Sequence, residues 1–435
     1  MVGSDPVSSR RTRRSRAAVL AVLALSVAAG CRASSSSDIV LRFWAMGREG
    51  EVVAGLLPEF ERINPGIRVK VQQIPWTAAH EKLLTAFAGD ATPDLCQLGN
   101  TWIPELAALD ALAPLDAHVT GSSVVDASDY FAGIWDTNRV DGRLYGVPWY
   151  VDTRLLFYRR DLLRRAGFAE PPRSWDEWRR MLAAVQAQAP SDRHAILLPL
   201  NEFEPLLALM LQQDDSVLRD NGRWGNFASP GFRRALAFYL EMFQRGWAPV
   251  LVSGAVSNVW TDFARGRFVF YVSGPWNIGE LRRRLPAAQQ ETWTTAPLPG
   301  PDGPGASIAG GSSLVMFRSS RHQAAAWRLI EFFSQPAVQR RFHAATGDLP
   351  PRRTAWADPE LAADAQARAF REQLERVKPA PKVPEWERIA NELRVVAEQA
   401  VRGTVPLAQA ARELDARADR ILEKRRWILA RRAAE

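Results

Sequence analysis

Two hydrophobic periods alternate along this chain. "IVLRFWAM" (39–46) reads as a strand, and Val52, Val53, Leu56, Leu57 and Phe60 then recur at helical spacing until "NPG" (64–66) closes the helix. Ile67, Val69 and Val71 alternate with Arg68, Lys70 and Gln72 as a half-buried strand; Leu83, Leu84 and Phe87 mark a second helix, and "DLCQL" (94–98) another strand. A repeated strand–helix unit predicts a largely parallel sheet with helices outside it. In such sheets ligands sit beyond the carboxyl ends of the strands, which draws attention to residues 44–49, Trp76 and residues 99–102.

A second α/β region follows Asn138, with helices near 175–188 and 232–245 and a strand at 268–272. The Pro- and Gly-rich "PLPGPDGPGASIAGG" (297–311) reads as a loop. From Pro359 the chain is mostly helical, broken by "KPAPKVP", and Leu407, Ala411, Leu414, Ala418 and Ile421 form the apolar stripe of a late helix. Within "GVPWYVDTRLLFYRRDLL" (146–163), strand alternation puts Tyr150 and Asp152 on one face and turns Trp149 to the other, where packing competes with ligand contact.

The N-terminus is of another kind. Arg10, Arg11, Arg13, Arg14 and Arg16 precede an apolar run from Ala17 to Ala29, and "VAAGC" follows, ending at Cys31. Such a run is too short to span a bilayer as a mature helix, and small residues before a cysteine are what lipoprotein signal peptidase cleaves. Residues 1–30 therefore read as a signal peptide, Cys31 as the lipidated first residue, and residues 31–38 ("CRASSSSD") as a flexible tether.

Composition changes this picture little. With 435 residues, 47% hydrophobic and 24% charged, the chain is long enough for two core-bearing lobes. The formal charge of +8 falls by four, five arginines less Asp5, once residues 1–30 are removed. A mildly basic body of this kind argues against a nucleic-acid binder, and the basic "EKRRWILARR" (423–432) reads as a helix end facing water. With Cys31 acylated, Cys96 is left without a disulfide partner and is expected to be a buried small hydrophobe.

Catalytic patterns are sparse. The five histidines are scattered, with no HExxH or Cys/His cluster, and no phosphate loop, dinucleotide fingerprint or nucleophile elbow occurs. No metal, no cofactor and no enzymatic activity are expected. A glycosidase needs only two carboxylates, so a secreted carbohydrate-active enzyme stays open as the alternative, as does a binder of a polyol. The 16 tryptophans are the positive signal: Trp44, Trp76, Trp102, Trp149, Trp260 and Trp276 fall where strands end or loops begin. A pyranose packs its C–H face on such rings and offers hydroxyls to Asp, Glu, Asn, Arg and His.

From Ile39 to about Leu422 the chain resembles the extracellular solute-binding proteins of ABC importers, in the sugar-binding group that includes maltose- and trehalose-binding proteins. The resemblance is carried by "LLPEFERINPGIRV", "TPDLCQL", "GVPWYVDTRLLFYRRDLL", "RGRFVFYVSGPWNIG", "AGGSSLVMF" and "GDLPPR", in that order. It implies an α/β fold, the two-lobed periplasmic-binding-protein (type II) fold with a cleft between lobes and a helical C-terminal segment. One lobe is expected at 39–138 plus 313–345 and the other at 139–312 plus 346–435.

The resemblance also implies ligand roles for Glu49, Tyr150, Asp152, Trp276, the Gly310-Gly311 turn and Arg352. Asn100 and Ser312 stand where the maltose/trehalose subgroup carries an Asp and a Trp, so the sugar's identity stays open. Trp44, Trp76, Trp260 and, at the rim, His80 complete the expected binding set. The implied partners are a di- or oligosaccharide, the permease's transmembrane subunits and, through Cys31, the membrane; the chain is expected to act as a monomer in the periplasm or cell envelope.

Overall fold

The computed structural model describes residues 1–3, 38–251 and 258–432; residues 4–30 of the expected signal peptide, and Cys31, lie outside the described residues. The strands that build its two main sheets are β1 (Ile39–Met46), β2 (Ile67–Ile74), β3 (Leu95–Gly99), β4 (Gly146–Val151), β5 (Leu155–Arg159), β6 (His194–Leu197), β7 (Phe268–Ser273), β8 (Trp293–Ala296) and β9 (Gly311–Met316). The first sheet has the order β2-β1-β3-β9-β4 and the second β8-β5-β7-β6.

Both sheets are covered on two faces, and strand alternation decides which side chain goes where. Leu41, Phe43 and Ala45 of β1 join one core cluster, while Trp44 and Met46 join another with Ile74, Leu83 and Leu98. In β5, Leu156 and Tyr158 face one cluster, and Leu155 and Phe157 face a second with Trp293 and Phe370. Such double burial explains why β5 and β7 read as unbroken apolar runs. β2 is an edge strand, and its Arg68, Lys70 and Gln72 turn outward, which discourages pairing with another chain.

Three expectations are corrected. β1 is parallel to β2 and β3, but β9 runs antiparallel to both β3 and β4, and β5 is antiparallel to β7 and β8. The chain returns into the first sheet as β9 only after building the whole second sheet, so direct strand–helix–strand crossovers make only part of the first. The expected lobe boundary at Asn138 also shifts: β4 pairs within the first sheet, and the chain crosses to the second only after Val151. Finally, the first helical stretch divides into Gly47–Val53 and Leu57–Ile63. Pro58 near the start of the second helix has no N–H to continue the hydrogen-bond ladder.

The late helices Trp386–Val401 and Leu407–Ile421 pack on helix Pro230–Gln244, and Ala410, Ala411, Leu414 and Ala418 fill the seam. The helical C-terminal segment is thereby part of the second lobe's core. Cys96 is fully buried, and desolvation pushes its thiol well above the usual range.

The crossovers between lobes are laced together. Asp152 N donates to Gly310 O at 2.9 Å, Val151 N to Leu349 O at 2.9 Å, and Thr153 Oγ1 to Ile308 O at 2.8 Å. These contacts place residues 150–154, 308–312 and 346–349 side by side at the floor of the cleft between the sheets.

Candidate functional site

A cavity of about 700 Å³ opens over this floor. The first lobe contributes Arg48, Glu49, Trp76, Asn100, Tyr150 and Ser312 to its wall, and the second Asp152, Arg154, Glu204, Trp260, Trp276 and Glu387. Cavities of this size, with aromatic walls and a few convergent polar groups, are the usual form of a small-ligand site.

A hydrogen-bonded chain organises the first-lobe side. Met46 N donates to Gln97 Oε1 at 2.7 Å, and Gln97 Nε2 donates to the Tyr150 hydroxyl at 3.0 Å. Ser312 Oγ donates to the same hydroxyl at 3.0 Å, and Tyr150 in turn donates to Glu49 Oε1 at 3.1 Å. Burial raises the Glu49 carboxyl above its ordinary range against the opposing pull of these hydrogen bonds, and lifts Asp348 and the Tyr150 phenol well above theirs.

On the second-lobe side, Arg154 is a buried guanidinium between two carboxylates. It pairs with Asp152, donates from NH2 to Glu204 Oε1 at 2.8 Å, and lies 4.7 Å from the centre of the Trp276 ring. Burial pushes the Asp152 carboxyl up to about 7, Arg154 pulling the other way. Trp260 donates from Nε1 to Asn277 Oδ1 at 2.8 Å, which fixes its ring, and the Arg284 guanidinium stacks 4.4 Å from its centre.

Of the residues expected from sequence, Glu49, Trp76, Asn100, Tyr150, Asp152, Trp260, Trp276, Gly310, Gly311 and Ser312 are brought together on the cavity wall. Asn100 spends its Nδ2 on Ala309 O at 2.7 Å, so its amide braces a crossover. Gly310 is required where it stands: a Cβ there would lie 2.1 Å from Asp152 O.

Three expectations do not survive. Trp44 lies within β1, two residues short of its end, and alternation sends its ring into the core beneath helix Trp76–Ala88. His80 sits on that helix away from the wall, with Nε2 bonded to Glu105 Oε2 at 2.7 Å; this bond raises its pKa. Arg352 is 8% exposed and clamps the chain, Nε donating to Asp129 Oδ2 at 2.6 Å and NH1 to Val124 O and Ser334 O. Trp149, left between two roles by sequence, is core, its ring stacked 4.5 Å from Phe342.

Sequence reasoning missed Asp348, Arg154 and Glu204 as wall residues. Two of them were within reach of it. Asp348 stands inside "GDLPPR", and Arg154 is two residues beyond Asp152.

Comparison with known proteins agrees with this architecture. The model of the bacterial extracellular solute-binding protein family matches residues 47–340, well over half the chain. The protein belongs to that family. This solute-binding protein is 60% identical to the sugar-binding protein MalE from the phytopathogen Xanthomonas citri, the match covering 90% of this chain and 99% of that one with a TM-score of 0.86. The diacetylchitobiose binding protein DasA of Streptomyces coelicolor is 24% identical over 368 residues, 83% of this chain and 84% of that protein. The GacH receptor of Streptomyces glaucescens, whose structures include a complex with acarbose, is 22% identical and superposes at a TM-score of 0.76 over 88% of this chain and 98% of its own, a likeness of fold.

Proposed function

We propose that this solute-binding protein captures a di- or oligosaccharide of the maltose or trehalose type and delivers it to the permease of an ABC importer. The observation that carries the reading is the aromatic and carboxyl-lined cavity between the lobes, in a chain 60% identical to a sugar-binding MalE. Trp276, Trp260 and Trp76 offer faces for pyranose C–H groups, while Glu49, Asp152 and Arg154 offer acceptors and donors to hydroxyls. The two lobes meet through the crossovers at residues 151–154 and 308–311, and closure on a ligand would be a rotation about them. Bound sugar stabilises the closed form, and the permease recognises that form.

The same reading places the body outside the cytoplasmic membrane, tethered by a lipid on Cys31, acting as a monomer and without turnover. Calorimetric titration of residues 38–435 with maltose, trehalose and longer glucosides, followed by chromatography of the recovered sugar, tests it. Saturable binding with intact sugar supports capture. Hydrolysed sugar means an enzyme, and binding of a polyol with no response to any sugar transfers the site to another solute.

A further inference from the structure

Residues 412–432 carry eight Arg and Lys against four Asp and Glu, an excess that equals the net charge of the whole body after residue 30. The charge is therefore concentrated on the last two helices. Along their outer side Arg412, Arg420, Lys424, Trp427 and Arg431 are all exposed. Hydrogen bonds from Leu422 N to Ala418 O (2.9 Å) and from Arg426 N to Leu422 O (3.0 Å) carry the helical ladder across the junction of helices Leu407–Ile421 and Glu423–Arg432. Steps of eight, four, three and four residues then keep the five side chains on one face. We propose that this face is a docking surface for anionic phospholipid headgroups, one that holds the protein against a membrane independently of any lipid on Cys31.

The acidic residues of the two helices are mostly engaged elsewhere. Asp415 accepts from Phe227 N at 2.6 Å and from Ala228 N at 2.9 Å, and Asp419 accepts from Gly225 N at 2.8 Å, so both carboxylates turn toward the second lobe. Glu413 pairs with Arg417, which also reaches Glu392 at 2.6 Å. Of the four acids, Glu423 alone is exposed. Among the described residues Arg412, Arg420, Lys424 and Arg431 have no ion-pair partner, whereas Arg417 on the same helix has two. The attraction of a helix C-terminus for cations accounts for Arg420 and Arg431, in the last turns, but not for Arg412 or Lys424.

Trp427 separates a docking face from a merely solvated basic one. It is 59% exposed, against 36% for Trp76 on the cavity wall, and the Arg431 guanidinium stacks 4.9 Å from its ring centre. An indole beside cations is the composition of a membrane interface, where Trp lies at headgroup level and Arg and Lys reach the phosphates. Cations spread over roughly 30 Å of helix suit a plane of negative headgroups better than a single anion. Arg426 lies 3.8 Å from the Trp224 ring centre and donates from NH1 to Arg223 O at 3.1 Å, which fastens the helix to the second lobe and holds the row outward. None of the five lines the cavity, so a docked protein still loads its ligand.

The test uses residues 38–435, which hold both sheets and their cores and lack Cys31. Co-sedimentation is measured with vesicles of equal parts phosphatidylglycerol and phosphatidylcholine, and with vesicles of phosphatidylcholine alone. Binding is expected to the anionic vesicles only, and should weaken at least about tenfold as salt rises from about 0.05 M to about 0.5 M. Arg420→Gln, Lys424→Gln and Arg431→Gln combined should lower vesicle affinity at least about tenfold while leaving the melting temperature native, since all three side chains are exposed and unpaired. Tryptophan emission should shift to the blue on anionic vesicles, and Trp427→Phe should remove that shift. No binding to anionic vesicles, or binding indifferent to the triple substitution, overturns the proposal. Loss of solute uptake by the triple variant without any vesicle binding would assign the face to an acidic surface of the permease and overturn the lipid reading as well. The test needs no sugar, so its failure leaves the proposed function untouched.

Discussion

The Tyr150 hydroxyl donates to Glu49 Oε1 at 3.1 Å while receiving hydrogen bonds from Gln97 and Ser312. One phenol thus joins the ends of β1, β3, β4 and β9 to the helix that carries Glu49. Its position explains why a strand otherwise made for burial presents an amphipathic ring at its carboxyl end.

Replacing that phenol with phenylalanine keeps the ring packing and removes the hub. Gln97 Nε2 is left with Ser312 Oγ at 3.4 Å, a poor substitute, and Glu49 loses a donor. Tyr150→Phe should cost about 1–3 kcal/mol in stability by denaturant unfolding, as expected for buried polar groups left unpaired, and should also weaken ligand binding. Wild-type behaviour in both measurements would mean that the network holds nothing in place.

Arg352 gives a prediction of the opposite kind, because its partners are structural. The guanidinium clamps Asp129 and two carbonyls away from the cavity. Arg352→Met should strand a buried carboxylate at a cost of about 3–5 kcal/mol, seen as a lowered melting temperature. Ligand affinity of the folded fraction, measured well below that temperature, should stay within about twofold of wild type. A large loss of affinity at unchanged stability would restore Arg352 to the binding site.

These two residues also show where the sequence was legible. Period-2 and period-3.6 patterns located β1, β2 and helix Trp175–Gln188, but the expected separation of Trp149 from Tyr150 does not hold, because a bulge opposite Ser312 and Ser313 interrupts the alternation of β4 and both rings lie in one core cluster beside Phe342. Trp44 defeated the same logic, because burial on both faces of β1 hides which parity faces the cleft. Arg352 and Asp348 stand four residues apart in one motif, and nothing local tells which of them reaches the cavity. That is settled by the pairing of Leu349 with Val151 and of Arg352 with Tyr130, contacts across some 200 residues that no local period encodes. The antiparallel entry of β9 was hidden for the same reason.

Gly310 tests whether the crossovers must lie as close as they do. Its carbonyl accepts from Asp152 N at 2.9 Å, and an added Cβ would meet Asp152 O at 2.1 Å, against backbone that cannot yield. Gly310→Ala should therefore destabilise the protein by about 1–3 kcal/mol through overpacking, and should lower affinity by displacing Asp152. Small-angle scattering with and without ligand would check whether closure is altered as well. A variant with native stability and affinity would show that the floor of the cleft is pliable.

Asp152 yields a pH dependence with a definite sign. Burial raises its carboxyl from an ordinary 3.8 to about 7, outweighing the pull of Arg154. Between those values the folded protein holds this proton more tightly than the unfolded chain does. By linkage, the contribution of Asp152 to stability falls as pH rises through that window, and its penalty is complete above about 7. Water in the cavity reaches the side chain, which remains 30% exposed, so the slope will be shallower than for a sealed carboxyl. Asp152→Asn removes the titrating group while leaving Arg154 its bond to Glu204. Denaturant unfolding of both proteins from pH 4 to 8, without ligand, should show the native protein losing stability relative to the variant as pH rises. Curves that stay parallel would place the Asp152 carboxyl in its ordinary range, ionised throughout and paired with Arg154 at no net cost.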